Sequence, residues 1–169
     1  MLPRAEKPAL IYFIISLAVL GLDQLTKLLI VRFVHPYESI QVLPFLRIVS
    51  VRNPGAAFGM FKGLGPAFLI IVSIAAVAVI SYMIVKGKDD RLSLSLILGG
   101  ALGNLADRIR LGHVVDFIDV YAGRYHWPAF NTADSALTLG IALLFYRSVT
   151  RKGSHRPSEG DAASGTRGR

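Results

Sequence analysis

Five acids stand out in this chain: Asp23, Asp107, Asp116, Asp119 and Asp134. Three of them fall in residues 99–123, "GGALGNLADRIRLGHVVDFIDVYAG", a stretch that opens as an apolar helix and closes loaded with charge. Asp116 lies in "GHVVDF" and Asp134 in "FNTAD". A short return of the chain between them would let the two carboxylates face each other. Two carboxylates about 4 Å apart repel by roughly 4 kcal/mol at an effective dielectric near 20. That repulsion is worth about three pKa steps, so one acid would hold a proton at neutral pH while the other stays ionised. The ionised member can take a proton from water, and the protonated member can donate to a carbonyl oxygen. Such a pair hydrolyses a peptide bond without a nucleophilic side chain.

Other chemistries find less to work with. The chain has no Cys, which excludes disulfides, thiolate catalysis and Cys-based metal sites. No G-x-S-x-G elbow is present. "GGALGN" lacks the Lys-Ser/Thr of a phosphate loop. His113 and His126 stand singly, without the spacing of a metal site, so no metal and no cofactor is expected.

The elements that must position these acids are apolar. Of 169 residues, 53% are hydrophobic and 18% charged, against about 25% charged in an ordinary soluble domain. The apolar residues gather in four blocks, at 8–34, 66–85, 92–106 and 135–146. The first two reach the roughly 20 residues that a spanning helix requires. The last two need their polar shoulders to do so, and by themselves would equally suit buried helices of a soluble protein. Arg4 and Lys7 before the first block resemble a signal peptide, but Asp23 and Lys27 interrupt it and no small-residue cleavage site follows, so it reads as a retained helix. The reading is an α-helical integral membrane protein with four transmembrane helices, at about 8–34, 66–85, 91–108 and 132–147. Residues 1–151 form one membrane-embedded domain, and 152–169 read as a disordered cytoplasmic tail. "KGKDDR" at 86–91 and the basic residues after Phe145 favour cytoplasmic N- and C-termini. The net charge of +8 is scattered beside apolar blocks, which suits anionic lipid headgroups rather than nucleic acid. "SIQVLPFLRIVSVR" alternates and reads as short strands on the membrane surface. Tyr121, Tyr125, Trp127 and Phe130 suit an interfacial aromatic belt.

A rise of 1.5 Å per residue places Asp23 roughly 22 Å above Pro8, Asp107 roughly 24 Å above Arg91, and Asp134 roughly 20 Å above Arg147. All three therefore lie at one level, just below the outer face of a hydrocarbon core about 30 Å thick. Ionisable groups at that depth are costly and point to function. Plainer roles remain open for each. Asp23 and Lys27 are spaced as an ion pair on a helix face. Asn131 and Asp134 have N-cap and N3 spacing. Gly99 and Gly103 suit close helix packing, and Asn53 in "RNPGAAFG" suits a turn. Asn104, Asp107 and Arg108 share a helix face and could be a structural polar cluster. A proton- or ion-coupled carrier using Asp23, Asp107 and Asp134 would want the same acids, although no inverted repeat or broken helix pair is seen. A scaffold held by Gly99 and Gly103 is a third reading.

"DQLTK" at 23–27, "RNPGAAFG" at 52–59, "GGALGNLADR" at 99–108, "GHVVDF" at 112–117 and "FNTAD" at 130–134 occur in one order. Each is weak alone, but together they resemble the bacterial lipoprotein signal peptidases (signal peptidase II), over about residues 8–147. The resemblance implies a plasma-membrane (inner-membrane) aspartyl protease that removes the signal peptide from prolipoproteins, cutting before a diacylglyceryl-modified cysteine. It implies that Asp116 and Asp134 are the catalytic pair. It further implies that Asp23, Lys27, Asn53, Gly55, Asn104, Asp107, Arg108, Asn131 and Ala133 bind substrate or support the pair. A small extracytoplasmic β-cradle at about 36–63 and a short surface helix at roughly 117–126 are expected to clasp the substrate. The partners so implied are the prolipoprotein and membrane lipids, engaged by a monomer. Asp119 is an extra acid to which the resemblance gives no role.

Overall fold

The computed structural model describes residues 8–36, 38–55, 65–87 and 90–153. Four helices dominate: α1 (Ala9–Phe33), α2 (Gly65–Lys86), α3 (Arg91–Leu111) and α4 (Thr132–Gly153). The ends differ from the sequence reading by a few residues at α3 and α4. Helix α3 continues through the charged "DRIRL" to Leu111, where Gly112 takes a left-handed φ of 74° and its N–H caps the Arg108 carbonyl at 3.1 Å. A residue without Cβ makes that stop inexpensive. Helix α4 runs on into Lys152 and Gly153, the first residues of the expected tail, and the rest of that tail lies outside the described residues.

The polarity of the bundle is inverted relative to a water-soluble protein. In α1 the buried residues are Ser16, Asp23 and Lys27, while Leu10, Leu17, Leu22, Leu25 and Leu28 are exposed. Helix α2 likewise exposes Ile71, Val72, Ile74, Val79 and Val85. By length and composition, Ala9–Phe33 and Ala67–Lys86 can cross a membrane. Helix α3 is more polar because it is central. It buries Ser93, Ser95, Gly99, Gly100, Gly103, Asn104 and Asp107 against its neighbours, and packs on α1, α2 and α4.

Small residues let these backbones meet. A Cβ added at Gly99 would stand 2.7 Å from the Ser16 carbonyl, and one at Gly103 2.5 Å from Asp23 Oδ2. At Gly100 it would run into the Ala133 carbonyl of α4. The packing role expected of Gly99 and Gly103 is therefore present, between α3 and α1. Ser16 reinforces the contact by donating to the Ser95 carbonyl at 2.9 Å. One end of the bundle holds a small apolar core of Ile84, Leu94 and Leu98, with Tyr12, Phe13 and Ile80 against it. The other end holds the acids.

A four-stranded antiparallel sheet, ordered β1-β2-β3-β4, covers the acidic end. Strands β1 (Ser39–Leu43) and β2 (Leu46–Asn53) fulfil the alternation of 39–52. The expected surface helix at 117–126 is not there: β3 (Val114–Ala122) and β4 (Tyr125–His126) occupy those residues, turning at Gly123 with φ of 60°. The physical reason is the run "VVDFIDVY", whose β-branched and aromatic residues favour an extended chain. Strand β2 supplies it with a full partner, pairing Leu46 with Val120 and Asn53 with Val114. The cradle is thus built from both outer connectors rather than from 36–63 alone, and residues 56–63 of that range fall outside the described residues.

Two glycine substitutions separate helix packing from helix propensity. Gly99→Ala should lower the thermal unfolding midpoint of the detergent-solubilised protein, at a cost of about 1–3 kcal/mol. Gly21→Ala, where an added Cβ meets nothing within 4 Å, should leave the midpoint unchanged or raise it.

Candidate active site

Asp116 sits on β3 and is 2% exposed. On the antiparallel ladder Asn53 faces Val114. Asn53 therefore lies diagonal to Asp116 on the same sheet face. Its Nδ2 donates to Asp116 Oδ2 at 2.9 Å, while its Oδ1 accepts the Gly55 N–H at 2.9 Å. The turn expected of Asn53 is present, and it aims the amide. Gly55 has a φ of 99°, which only glycine adopts without strain.

The chain returns to β3 just before α4. The backbone of Phe130 accepts from the N–H groups of Phe117 and Ile118 and donates to the Ile118 carbonyl. This pins the segment "FNTAD" against β3 and sets Asn131 beside Asp116. Asn131 Nδ2 donates to Asp116 Oδ1 at 2.6 Å. Asn131 and Asp134 also form a reciprocal cap of α4. The Asp134 N–H donates to Asn131 Oδ1 at 2.9 Å, and the Asn131 N–H donates to Asp134 Oδ2 at 3.3 Å. One residue thus bonds to both acids, and the expected capping of α4 is present.

A second layer comes from α1 and α3. Asn104 Nδ2 donates to Asp134 Oδ1 at 2.8 Å. Its Oδ1 receives Lys27 Nζ at 3.0 Å and Asn131 Nδ2 at 3.2 Å. Lys27 pairs with Asp23 at 2.9 Å and with Asp107 at 3.0 Å, all three groups being buried. Asp23 Oδ1 accepts the Ala133 N–H at 2.8 Å, so Ala133 contributes its backbone and a side chain that lets α4 approach. Asp107 Oδ2 accepts the Val115 N–H at 3.1 Å, which ties α3 to β3. Asp23, Asp107 and the start of α4 therefore meet at one level. Arg108 is more peripheral: its Nη1 reaches the Asn104 carbonyl at 3.4 Å, and its buried Nε has no hydrogen-bond partner among the described residues.

Sequence reasoning missed Gln24. Its Nε2 donates to Asp107 Oδ1 at 2.9 Å, and its Oε1 accepts from Arg110 at 3.0 Å. Its place within "DQLTK" was the only available signal. Asp119 also gains a setting of its own. Arg47 of β2 and His126 of β4 both hydrogen-bond it, and the His126 ring stacks on Tyr121. Burial alone would push the Asp119 carboxyl up, but the hydrogen bonds from His126 and Arg47 outweigh it and hold the group below its ordinary value. Asp119, itself buried, thus sits in a cluster with the part-exposed Arg47 and His126, separate from the hydrogen-bonded network around Asn131.

Asp116 is shifted the other way. Burial, aided by the charge of Asp134, pushes its carboxyl from 3.8 up to about 6, against the pull of Asn53, Asn131 and Lys27. Both of its oxygens face amide donors, from Asn53 and Asn131.

Apolar-surfaced helices around a polar interior, with Asp116 buried and Asp134 half-buried at one end, define a membrane-type protein. The chain belongs to the signal peptidase II family: the family model described as "Signal peptidase (SPase) II" matches residues 15–150. It is 49% identical over 143 residues to the lipoprotein signal peptidase of Geobacter sulfurreducens, covering 79% of this chain and 89% of that one. The lipoprotein signal peptidase of Syntrophus aciditrophicus is 44% identical over 156 residues, covering 87% of this chain and 97% of the relative. Among solved structures, a bacterial membrane enzyme determined by the in meso method at 2.3 Å superposes with a TM-score of 0.78 at 35% identity, covering 88% of this chain and 93% of that one. A second, at 1.9 Å, gives a TM-score of 0.74 at 37% identity, covering 82% and 92%.

The raised Asp116 carboxyl has a pH signature. The folded protein holds this proton more tightly than the unfolded chain does, so stability is full below about 4 and falls as pH rises through about 6. The ionised group costs folding about 3 kcal/mol at neutral pH, at 1.36 kcal/mol per pKa step. The unfolding midpoint of Asp116→Asn relative to wild type should therefore climb between pH 4 and pH 6 and level off above. A difference that is flat across that range contradicts the assignment.

Proposed function

We propose that this chain is a membrane-embedded aspartic endopeptidase that removes the signal peptide from prolipoproteins by cutting before a diacylglyceryl-modified cysteine. The observation that carries this reading is the shared hold of Asn131 on Asp116 and Asp134. It brings two acids from a strand and a helix start together, in a chain that belongs to the signal peptidase II family.

The chemistry follows from the pair. The ionised acid takes a proton from a water molecule as the oxygen attacks the scissile carbonyl. The protonated acid donates to the carbonyl oxygen, giving a tetrahedral gem-diol. Proton return to the amide nitrogen then lets the C–N bond break. Asn53, Asn104 and Asn131 present N–H donors that hold the two carboxylates in place for this exchange.

The setting suits a lipid-anchored substrate. We assign α1 to α4 as four membrane spans. Lys86, Arg91, Arg147 and Arg151 lie at the bundle end opposite the acids, and Arg147 and Arg151 reach Asp90 there. The positive-inside rule then puts both termini in the cytoplasm and the acids near the outer face. The acyl chains of the substrate cysteine stay in the bilayer while its peptide bond rises to the level of Asp116 and Asp134. The sheet β1–β4 lies above as a cradle for the substrate, with Tyr125 and Trp127 exposed at the interface.

Incubation of the purified full chain with a diacylglyceryl-modified prolipoprotein should release the signal peptide. Asp116→Asn and Asp134→Asn should each lower the rate at least about 10³-fold while the protein stays folded, since removal of a catalytic acid or base forfeits that order of rate. Asp119→Asn should stay within a few-fold of wild type. Near-normal cleavage by either dyad variant removes that residue from the mechanism.

A further inference from the structure

Among the described residues Lys27 is the one cation buried inside the polar network, and the hydrolysis just described gives it no role. It is 3% exposed and contacts three groups: Asp23 Oδ2, Asp107 Oδ2 and Asn104 Oδ1. An ammonium has three donors and no acceptor. The Asn104 atom facing it must therefore be the carbonyl oxygen, because an amide NH2 turned toward Lys27 would set donor against donor. Asn131 Nδ2, also a donor, presses on the same atom at 3.2 Å. With its oxygen so committed, Asn104 can offer only Nδ2 to Asp134, which it does at 2.8 Å.

We infer that Lys27 is a positioning residue of the reaction, locking the Asn104 side-chain amide in the one orientation that donates a hydrogen bond to Asp134. Asp23 and Asp107 hold Lys27 in turn. Asp23 is fastened to the Ala133 N–H of α4 and Asp107 to the Val115 N–H of β3. The lock is thus anchored on the same two elements that carry the acids. Asn53 and Asn131 follow the same logic, each with its oxygen committed to a backbone N–H, from Gly55 and Asp134 respectively. Asn104 differs in that a charged side chain makes the commitment. A neutral partner that could accept as well as donate would leave only the longer bond from Asn131 Nδ2 to oppose a turned amide, which would set a carbonyl oxygen against Asp134.

This inference rests on Asp116 and Asp134 being the catalytic pair, and the test keeps the two questions apart. kcat and KM are measured on a diacylglyceryl-modified prolipoprotein for Lys27→Gln, Asn104→Ala and the double variant, with Lys27→Arg as the conservative replacement. Loss of a group that orients a site residue typically costs 10- to 100-fold. Lys27→Gln should lose roughly that in kcat with KM within about threefold, Lys27→Arg should recover part of it, and the double variant should be no slower than Asn104→Ala. Full kcat in Lys27→Gln, or a double-variant loss equal to the product of the single losses, overturns the inference. Removing Lys27 leaves Asp23 and Asp107 facing each other, so a second variant reads the orientation with the cation in place. Asn104→Asp keeps an oxygen for Lys27 but offers Asp134 no donor. It should fold and be as slow as Asn104→Ala, whereas wild-type kcat in Asn104→Asp refutes the lock. Should the dyad reading itself fail, it fails in Asp116→Asn and Asp134→Asn, whatever these variants do.

Discussion

Asn131 is fully buried, and every polar atom of its side chain is engaged. Its oxygen caps α4 through the Asp134 N–H, and its NH2 reaches Asp116 on one side and the Asn104 oxygen on the other. The start of a helix, the middle of a strand and the face of a second helix are therefore fixed relative to each other by a single amide. A buried amide left with unpaired atoms costs roughly 1–3 kcal/mol per group, so the network favours its complete form strongly. The geometry of the two acids is a by-product of satisfying Asn131.

The same requirement explains the inversion of the bundle. In lipid, apolar side chains gain nothing by hiding from the solvent, and polar groups have nowhere else to find partners. Leucines of α1 accordingly face outward while Asp23 and Lys27 face in. Glycines on α3 bring the backbones close enough for short polar side chains to bridge them. Removing one member of the Asp23–Lys27–Asp107 cluster would strand a buried charge, which is far more costly than never having built the cluster. The cluster's value lies in where it places its neighbours, and much less in net stability.

Much of this was legible in the chain. The depth of Asp23, Asp107 and Asp134 followed from helix rise alone, and those residues do share one level. The i, i+4 spacing of Asp23 and Lys27 and the cap spacing of Asn131 and Asp134 announced contacts that exist. What could not be read was pairing across long separations. Nothing local says that β3 joins β2, and the resemblance alone implies a surface helix at roughly 117–126, where the residues prefer extension. Gln24 was passed over because its neighbours carry the charges, and its reach to Asp107 depends on how α1 and α3 cross. Asp119 was an extra acid to which the resemblance gave no role. Its strand turns it toward Arg47 and His126.

The first turn of α4 carries one more consequence. A helix start normally offers free backbone N–H groups to an incoming anion. Here the Ala133 N–H is given to Asp23, the Asp134 N–H to Asn131 Oδ1 and the Ser135 N–H to the Asn131 carbonyl. These amides are spent on the scaffold, although the helix points its positive end at the acids. The peptide groups of Ala133, Asp134 and Ser135 therefore have no hydrogen left to share with negative charge that builds up beside them.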